Sequence, residues 1–139
     1  MDQAVKKSAT TWDPEKFGVR TLVSRLIEAG EVTIHEKPTA LADLSPIIEA
    51  SNTAHLFKKA GPEGHEVIAA MSSSRKRLAI AFGVSEDKMR DEFLRRTANP
   101  QKPFEVPSAE APVHQEVLSG KDIDLYKLPF HLQHEYDGA

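Results

Sequence analysis

At 139 residues the chain has room for one ordinary domain, and a domain of that size buries roughly two-thirds of its unfolded surface. An apolar fraction of 40% beside 28% charged residues belongs to a soluble globular chain, and a net charge of −3 gives no electrostatic case for nucleic acid. The absence of cysteine excludes disulfides, thiolate metal sites and a cysteine nucleophile.

No apolar run approaches the ~20 residues needed to span a bilayer. The opening stretch from Met1 to Lys16 contains no hydrophobic segment of the secretory kind. The location consistent with both is the cytoplasm, with no membrane partner. Residues 1–17 form a polar, aperiodic arm in which Trp12 and Phe17 are the large apolar side chains. Two readings stay open for it: a mobile arm, or one pinned by those aromatics onto a partner or onto the body.

The first periodic element runs from Val19 to Ala29. Val19, Leu22, Val23, Leu26 and Ile27 recur at helical spacing, and Gly30 follows as a left-handed stop. Val32 to His35 reads as a short strand closed before Pro38. Ser45 and Pro46 read as a cap and first helical residue for a short helix through Ile47 and Ile48, closing near Asn52. His55-Leu56-Phe57 and Glu66 to Met71 read as two strands around the turn Gly61-Pro62-Glu63-Gly64.

The serines at 72–74 offer caps for a helix from Arg75 to Phe82. Ser85 is expected to cap the next, with Glu86 and Asp87 in its first turn, Arg95 and Arg96 in its last, and Met89 and Phe93 facing inward. Pro100, Pro103, Pro107 and Pro112 make 99–112 an extended connector. A strand from Val113 to Leu118 and a Ser119-Gly120 turn are expected beyond it. The organisation is therefore an arm (1–17), an α/β domain with a small mixed sheet flanked by helices (18–98), the connector (99–112) and a further unit begun at 113–139.

Candidate chemistry is sparse. His131, His134, Glu135 and Asp137 form the densest set of potential metal ligands. Pro129 and Gly138 argue against the helix that would align them, so a solvated tail or the entrance to a following domain is preferred. Arg75-Lys76-Arg77 at a helix start suggests either a phosphate cradle or an arginine paired with a distant carboxylate, and the second is preferred because first-turn cations oppose the helix dipole. Glu86/Asp87 and Asp91/Glu92 read as surface pairs, and Asp122/Asp124 as turn-formers. His35, His55, His65 and His114 are isolated and carry no assigned role. No nucleophile elbow or Gly-rich nucleotide loop occurs.

Two blocks carry a resemblance. Ser74 to Gly83 (SRKRLAIAFG) is similar to the S-R-x-R-x-A-x-A-[LF]-G segment of the UbiD family of decarboxylases. Pro112-Val113, Glu116-Val117, Gly120, Asp122 to Leu125, Leu128-Pro129 and Asp137-Gly138 resemble a second block of that family in order and spacing. The resemblance spans about residues 18–138 and departs at Ala139, where the family usually has a second glycine. It implies an N-terminal α/β domain followed by the first strands of a flavin-binding β-barrel. It also implies a parent enzyme that would remove a carboxylate from an aromatic, heteroaromatic or unsaturated acid. That parent would use prenylated FMN, a divalent metal such as manganese, and potassium, and would form a homo-oligomer. The family's catalytic, cofactor and metal residues all lie beyond the Asp-Gly motif, so no catalytic, cofactor-binding or metal residue is assigned here, and the isolated chain is expected to be inactive. Two alternatives stand beside it: an assembly module docking on a flavin-dependent partner, and a small enzyme built on the 131–137 cluster.

Overall fold

A computed structural model describes residues 18–100, 103 and 105–130. The arm with Trp12 and Phe17, and the candidate ligands His131, His134, Glu135 and Asp137, lie outside the described residues.

Helix α1 (Val19–Glu28) forms where the apolar stripe demanded it, with Leu26 fully buried. It ends in a Schellman closure: Gly30 N–H donates to Ile27 O at 3.0 Å and Glu31 N–H to Leu26 O at 2.9 Å. Gly30 supplies the left-handed φ of 71° that this closure requires. Strand β1 (Val32–His35) leaves the turn and pairs in parallel with β2 (Ala54–Ala60). A parallel pair needs a crossover, and α2 (Leu44–Glu49) provides it. β2 then turns through residues 61–64 into antiparallel β3 (His65–Ala69), completing a mixed sheet of order β1-β2-β3.

The start of α2 differs from the sequence expectation. A 3-10 turn at Leu41–Asp43 runs straight into the helix, so Ser45 lies inside it rather than at its cap. Burial decides this. Leu44 is fully buried with Phe57 and Ala60, and Leu41, Ile47, Ile48 and Val67 pack around them. Winding the chain a turn earlier delivers Leu41 and Leu44 to that cluster, while Pro46 stays in the first turn, where its missing N–H costs little.

The register pairs Phe57 with Val67 and Leu56 with Ile68, which puts the two pairs on opposite sheet faces. The Phe57 face carries α2, and Leu56 and Ile68 look toward α1. Helix α3 (Arg75–Phe82) packs against α1 and is followed by a 3-10 turn at Glu86–Lys88 and α4 (Met89–Thr97). Phe93 does not face inward as expected. It is 52% exposed and meets Phe82 only edge-on. The inner contact of α4 is Arg96 instead, whose guanidinium lies 4.8 Å from the Phe82 ring centre and donates to Phe82 O at 2.8 Å.

Residues 113–118 form no strand. Pro112–His114 is a 3-10 turn, and the following residues run unpaired with Val113 and Val117 well exposed. A strand needs a neighbour for its N–H and C=O groups, and none of the described strands pairs with this segment. Short 3-10 turns recur at Gly120–Asp122 and Leu125–Lys127, the latter held by Asp124, whose carboxylate accepts from Tyr126 N–H at 3.0 Å. The segment is tied to the body where His65 Nε2 meets Lys127 O at 2.7 Å. No helix among the described residues is long and apolar enough to cross a membrane.

Candidate functional site: a buried histidine–arginine network

Among the described residues, two buried side chains carry the polar chemistry of the interior: Arg77 and His55, each 2% exposed. Both are held by the junction between β1, β2 and the start of α3.

Arg77 reaches its place because Ser74 starts α3. Ser74 has extended backbone and its hydroxyl accepts from Arg77 N–H at 3.1 Å, which sets the helix phase. With that phase Arg77 and Ala79 turn inward while Arg75 stays exposed. The guanidinium Nη1 donates to Asn52 O at 2.6 Å and toward Glu31 Oε2 at 3.4 Å, and Nη2 donates to Ser73 Oγ at 2.8 Å. Its Nε is buried with no partner among the described residues. Ser73 is itself placed by a strained residue. Ala70 has φ 58°, and its carbonyl accepts from the Ser73 hydroxyl at 2.9 Å.

Glu31 closes the arrangement from the other side. Following Gly30, it directs its carboxylate at the first turn of α3, where Lys76 Nζ lies 2.5 Å from Oε1. The hydrogen bond from Lys76 is the largest cause that holds the Glu31 carboxyl below the usual carboxylate range, with partial burial opposing it. This resolves the electrostatic objection raised by Arg75-Lys76-Arg77: two first-turn cations are compensated by a carboxylate at the helix N-terminus. The paired arginine is Arg77, and its two Nη groups are committed to the protein rather than to a phosphate.

His55 lies on the Phe57 face of β2. Parallel register sets Thr33 opposite His55 and His35 opposite Phe57. The rings of His35 and Phe57 stack with centroids 4.5 Å apart, and those of His35 and His55 at 5.3 Å. His35 Nε2 lies 3.0 Å from His55 Nδ1, and Ser51 Oγ lies 3.1 Å from His55 Nε2. The hydrogen bonds continue from Ser51 to Thr53 at 2.9 Å and from Thr53 to Thr33 at 2.7 Å. One imidazole of the facing pair must donate and the other accept, so the pair holds its geometry only while one of those nitrogens is bare. Burial, then His35, then Arg77 lower the proton affinity of His55 below that of an ordinary histidine.

Along the sequence the four histidines at 35, 55, 65 and 114 stand apart, and the fold joins two of them. A signal for this is present: Thr33-Ile34-His35 within β1 and Thr53-Ala54-His55 at the entry to β2 are the same Thr-x-His triplet. Alternation places Thr and His of each triplet on one face, and pairing the strands brings those faces together. His65 and His114 stay outside the network, the former on Lys127 O and the latter beside Ser108.

Chemically, the network can hold a proton in place and pass it between Ser51, His55 and His35. Ser51 Oγ and His55 are within reach of a nucleophile–base pair, but that hydroxyl also accepts from Thr53 N–H at 3.3 Å, and Arg77 is spent on Asn52, Ser73 and Glu31. Among the described residues no group of three or more His, Asp or Glu converges as a metal site. The arrangement acts as a polar lock joining helix to sheet. No family model matches the chain. No curated protein matches it either.

Proposed function

We propose that the chain is the N-terminal portion of a UbiD-like, prenylated-FMN-dependent decarboxylase, in which it serves as scaffold and supplies no catalytic group. The observation carrying this reading is the fate of the segment Ser74 to Gly83. Four of its distinctive residues are occupied structurally. Ser74 caps, Arg77 clasps Asn52 and Glu31, Ala79 is buried, and Gly83 takes the left-handed closing conformation. A block with those demands explains its own residue types without a substrate or cofactor in contact with it.

The described residues do not fit prenylated FMN or a divalent metal. Arg77 is the buried cation among them, and it is already bonded to protein acceptors. The chemistry of carboxylate removal is therefore assigned to residues other than those described, with manganese, potassium and the flavin held there. The substrate class is a small aromatic, heteroaromatic or unsaturated carboxylic acid, and the enzyme is a cytoplasmic homo-oligomer.

A second reading draws on the exposed side chains of Val113, Val117, Ile123, Leu125, Tyr126 and Phe130. Apolar exposure concentrated in one segment marks an interaction surface, which suits an assembly module on a flavin-dependent partner as well as a following domain of the same chain. The reading frame after Ala139 separates the two. Continuation into a flavin-binding domain supports the enzyme, and a stop codon supports the module.

A further inference from the structure

β1 is an edge strand of four residues, paired only with β2 among the described residues. Its two flanks are fixed by contacts that involve no histidine. On one side Glu31 O accepts from Ala54 N–H at 2.9 Å, while the Glu31 carboxylate holds Lys76 and Arg77. On the other, Thr39 N–H donates to Lys59 O and Gly61 N–H to Thr39 O, both at 2.9 Å. Between these flanks the side-chain link to β2 is the His35–His55 contact at 3.0 Å, with the Thr33–Thr53 hydrogen bond beside it.

The histidine contact tolerates one added proton and not two. With one imidazolium, its N–H still faces the bare nitrogen of the other ring. With two, a pair of N–H groups and two positive charges confront each other. The surroundings do not answer the second charge. α3 brings Arg77, a further cation that acts on His55 and is itself matched, with Lys76, by Glu31. β3 sets the neutral Ala69 and Val67 opposite His55 and Phe57. Asp43 and Glu49 on the α2 side, Glu36 and Lys37 after β1, and Lys59 of β2 are exposed. Among the described residues no carboxylate forms an ion pair with either ring.

From this geometry we infer that the β1–β2 junction is an acid-operated latch: a second proton on the His35–His55 pair lifts residues 32–38 off β2, while Glu31 and Thr39 keep both flanks attached. His35 then leaves the Phe57 ring, on which it stacks at 4.5 Å, and the β1-facing edge of β2 at Leu56 and Phe57 is uncovered. The opening is separate from loss of the fold, because the cluster of Leu44, Phe57 and Ala60 and the packing of α1 on α3 lie outside the moving segment.

Hydrogen exchange of the intact protein, followed by mass spectrometry between pH 7.5 and pH 5 and corrected for intrinsic rates, reads the opening directly. The lower limit stays above 4.5, the ordinary value of a glutamate, so the Glu31 clasp remains charged. As pH falls below about 6.5, where an unperturbed histidine titrates, peptides covering 32–38 and 54–57 should lose protection. The loss should approach about ten-fold per pH unit, the dependence of an opening that takes up one proton, while α1 and α3 keep their protection. His35→Gln retains a hydrogen-bonding amide that takes no proton, and should abolish the effect. His65→Gln and His114→Gln, outside the network, should leave it unchanged. Where His35→Gln fails to fold, an imidazole NMR titration of the parent takes its place, and the opening must follow the second protonation of the pair rather than the first. Protection of 32–38 unchanged at pH 5 would overturn the inference. So would a loss shared equally by α1 and α3, which assigns the acid response to the whole fold, or an acid opening that survives in His35→Gln.

Discussion

Replacing Arg77 by alanine tests whether the polar lock holds the fold together. The substitution removes a guanidinium that is 2% exposed, strips Asn52 O of a 2.6 Å donor, and leaves a void under α3. Breaking a buried ion pair on one side costs about 3–5 kcal/mol. The lower end applies here, because Glu31 keeps Lys76 as a partner and the Arg77 contact to it is long at 3.4 Å. The orphaned Asn52 carbonyl alone accounts for about 1–3 kcal/mol of this. For a body of roughly 80 residues, about 3 kcal/mol corresponds to a fall in Tm of about 12–24 °C. Thermal and urea melts followed by circular dichroism, with Arg75→Ala as an exposed control expected within about 0.5 kcal/mol of the parent, give the comparison. An Arg77→Ala protein that melts within a few degrees of the parent refutes the claim that this residue joins helix to sheet.

Acid should erode stability in two stages. His55 binds its proton more weakly folded than unfolded, so its contribution is complete above about pH 6.5 and is lost as pH falls below that toward the depressed folded value. Glu31 is also depressed, so its contribution holds above its unfolded value near 4.5 and is lost as pH falls through the lower folded one. Urea midpoints across pH should show both limbs in the parent, and His55→Gln should remove the first while sparing the second. Backbone strain should be reversible in sign between two sites. Gly83→Ala meets no atom within 4 Å yet must hold φ 73°, and should cost about 1 kcal/mol. Ala70→Gly relieves φ 58° and should stabilise by about 0.5–1 kcal/mol. Equilibrium unfolding of both variants settles each sign.

Local signals carried the parts of the fold that local interactions build. The stripe through Leu22 and Leu26, Gly30 as a stop, the turn at 61–64 and the Ser74 cap are all properties of a few neighbouring residues, and each was legible. Where burial from a distant strand decided the outcome, the local pattern was not enough. Leu44 is drawn to Phe57 and starts α2 before Ser45, and Phe93 is left at the surface because Arg96 takes the inner position over Phe82. Residues 113–118 alternate as a strand would, but alternation alone supplies no hydrogen-bonding neighbour. The histidine pair was hidden for the same reason. His35 and His55 are twenty residues apart and meet only through the β1–β2 register, although the repeated Thr-x-His triplet marked it. Arg77 was the favourable case, since a cation in a helix's first turn announces that some carboxylate must answer it.

Flavin retention tests the scaffold reading most directly. The product of the complete reading frame and a protein of residues 1–139 are each incubated with prenylated FMN and manganese, desalted, and examined by absorbance. The account predicts bound flavin on the complete product and none on residues 1–139. Tight flavin on the 139-residue protein, or its release of carbon dioxide from an aromatic acid, would contradict it.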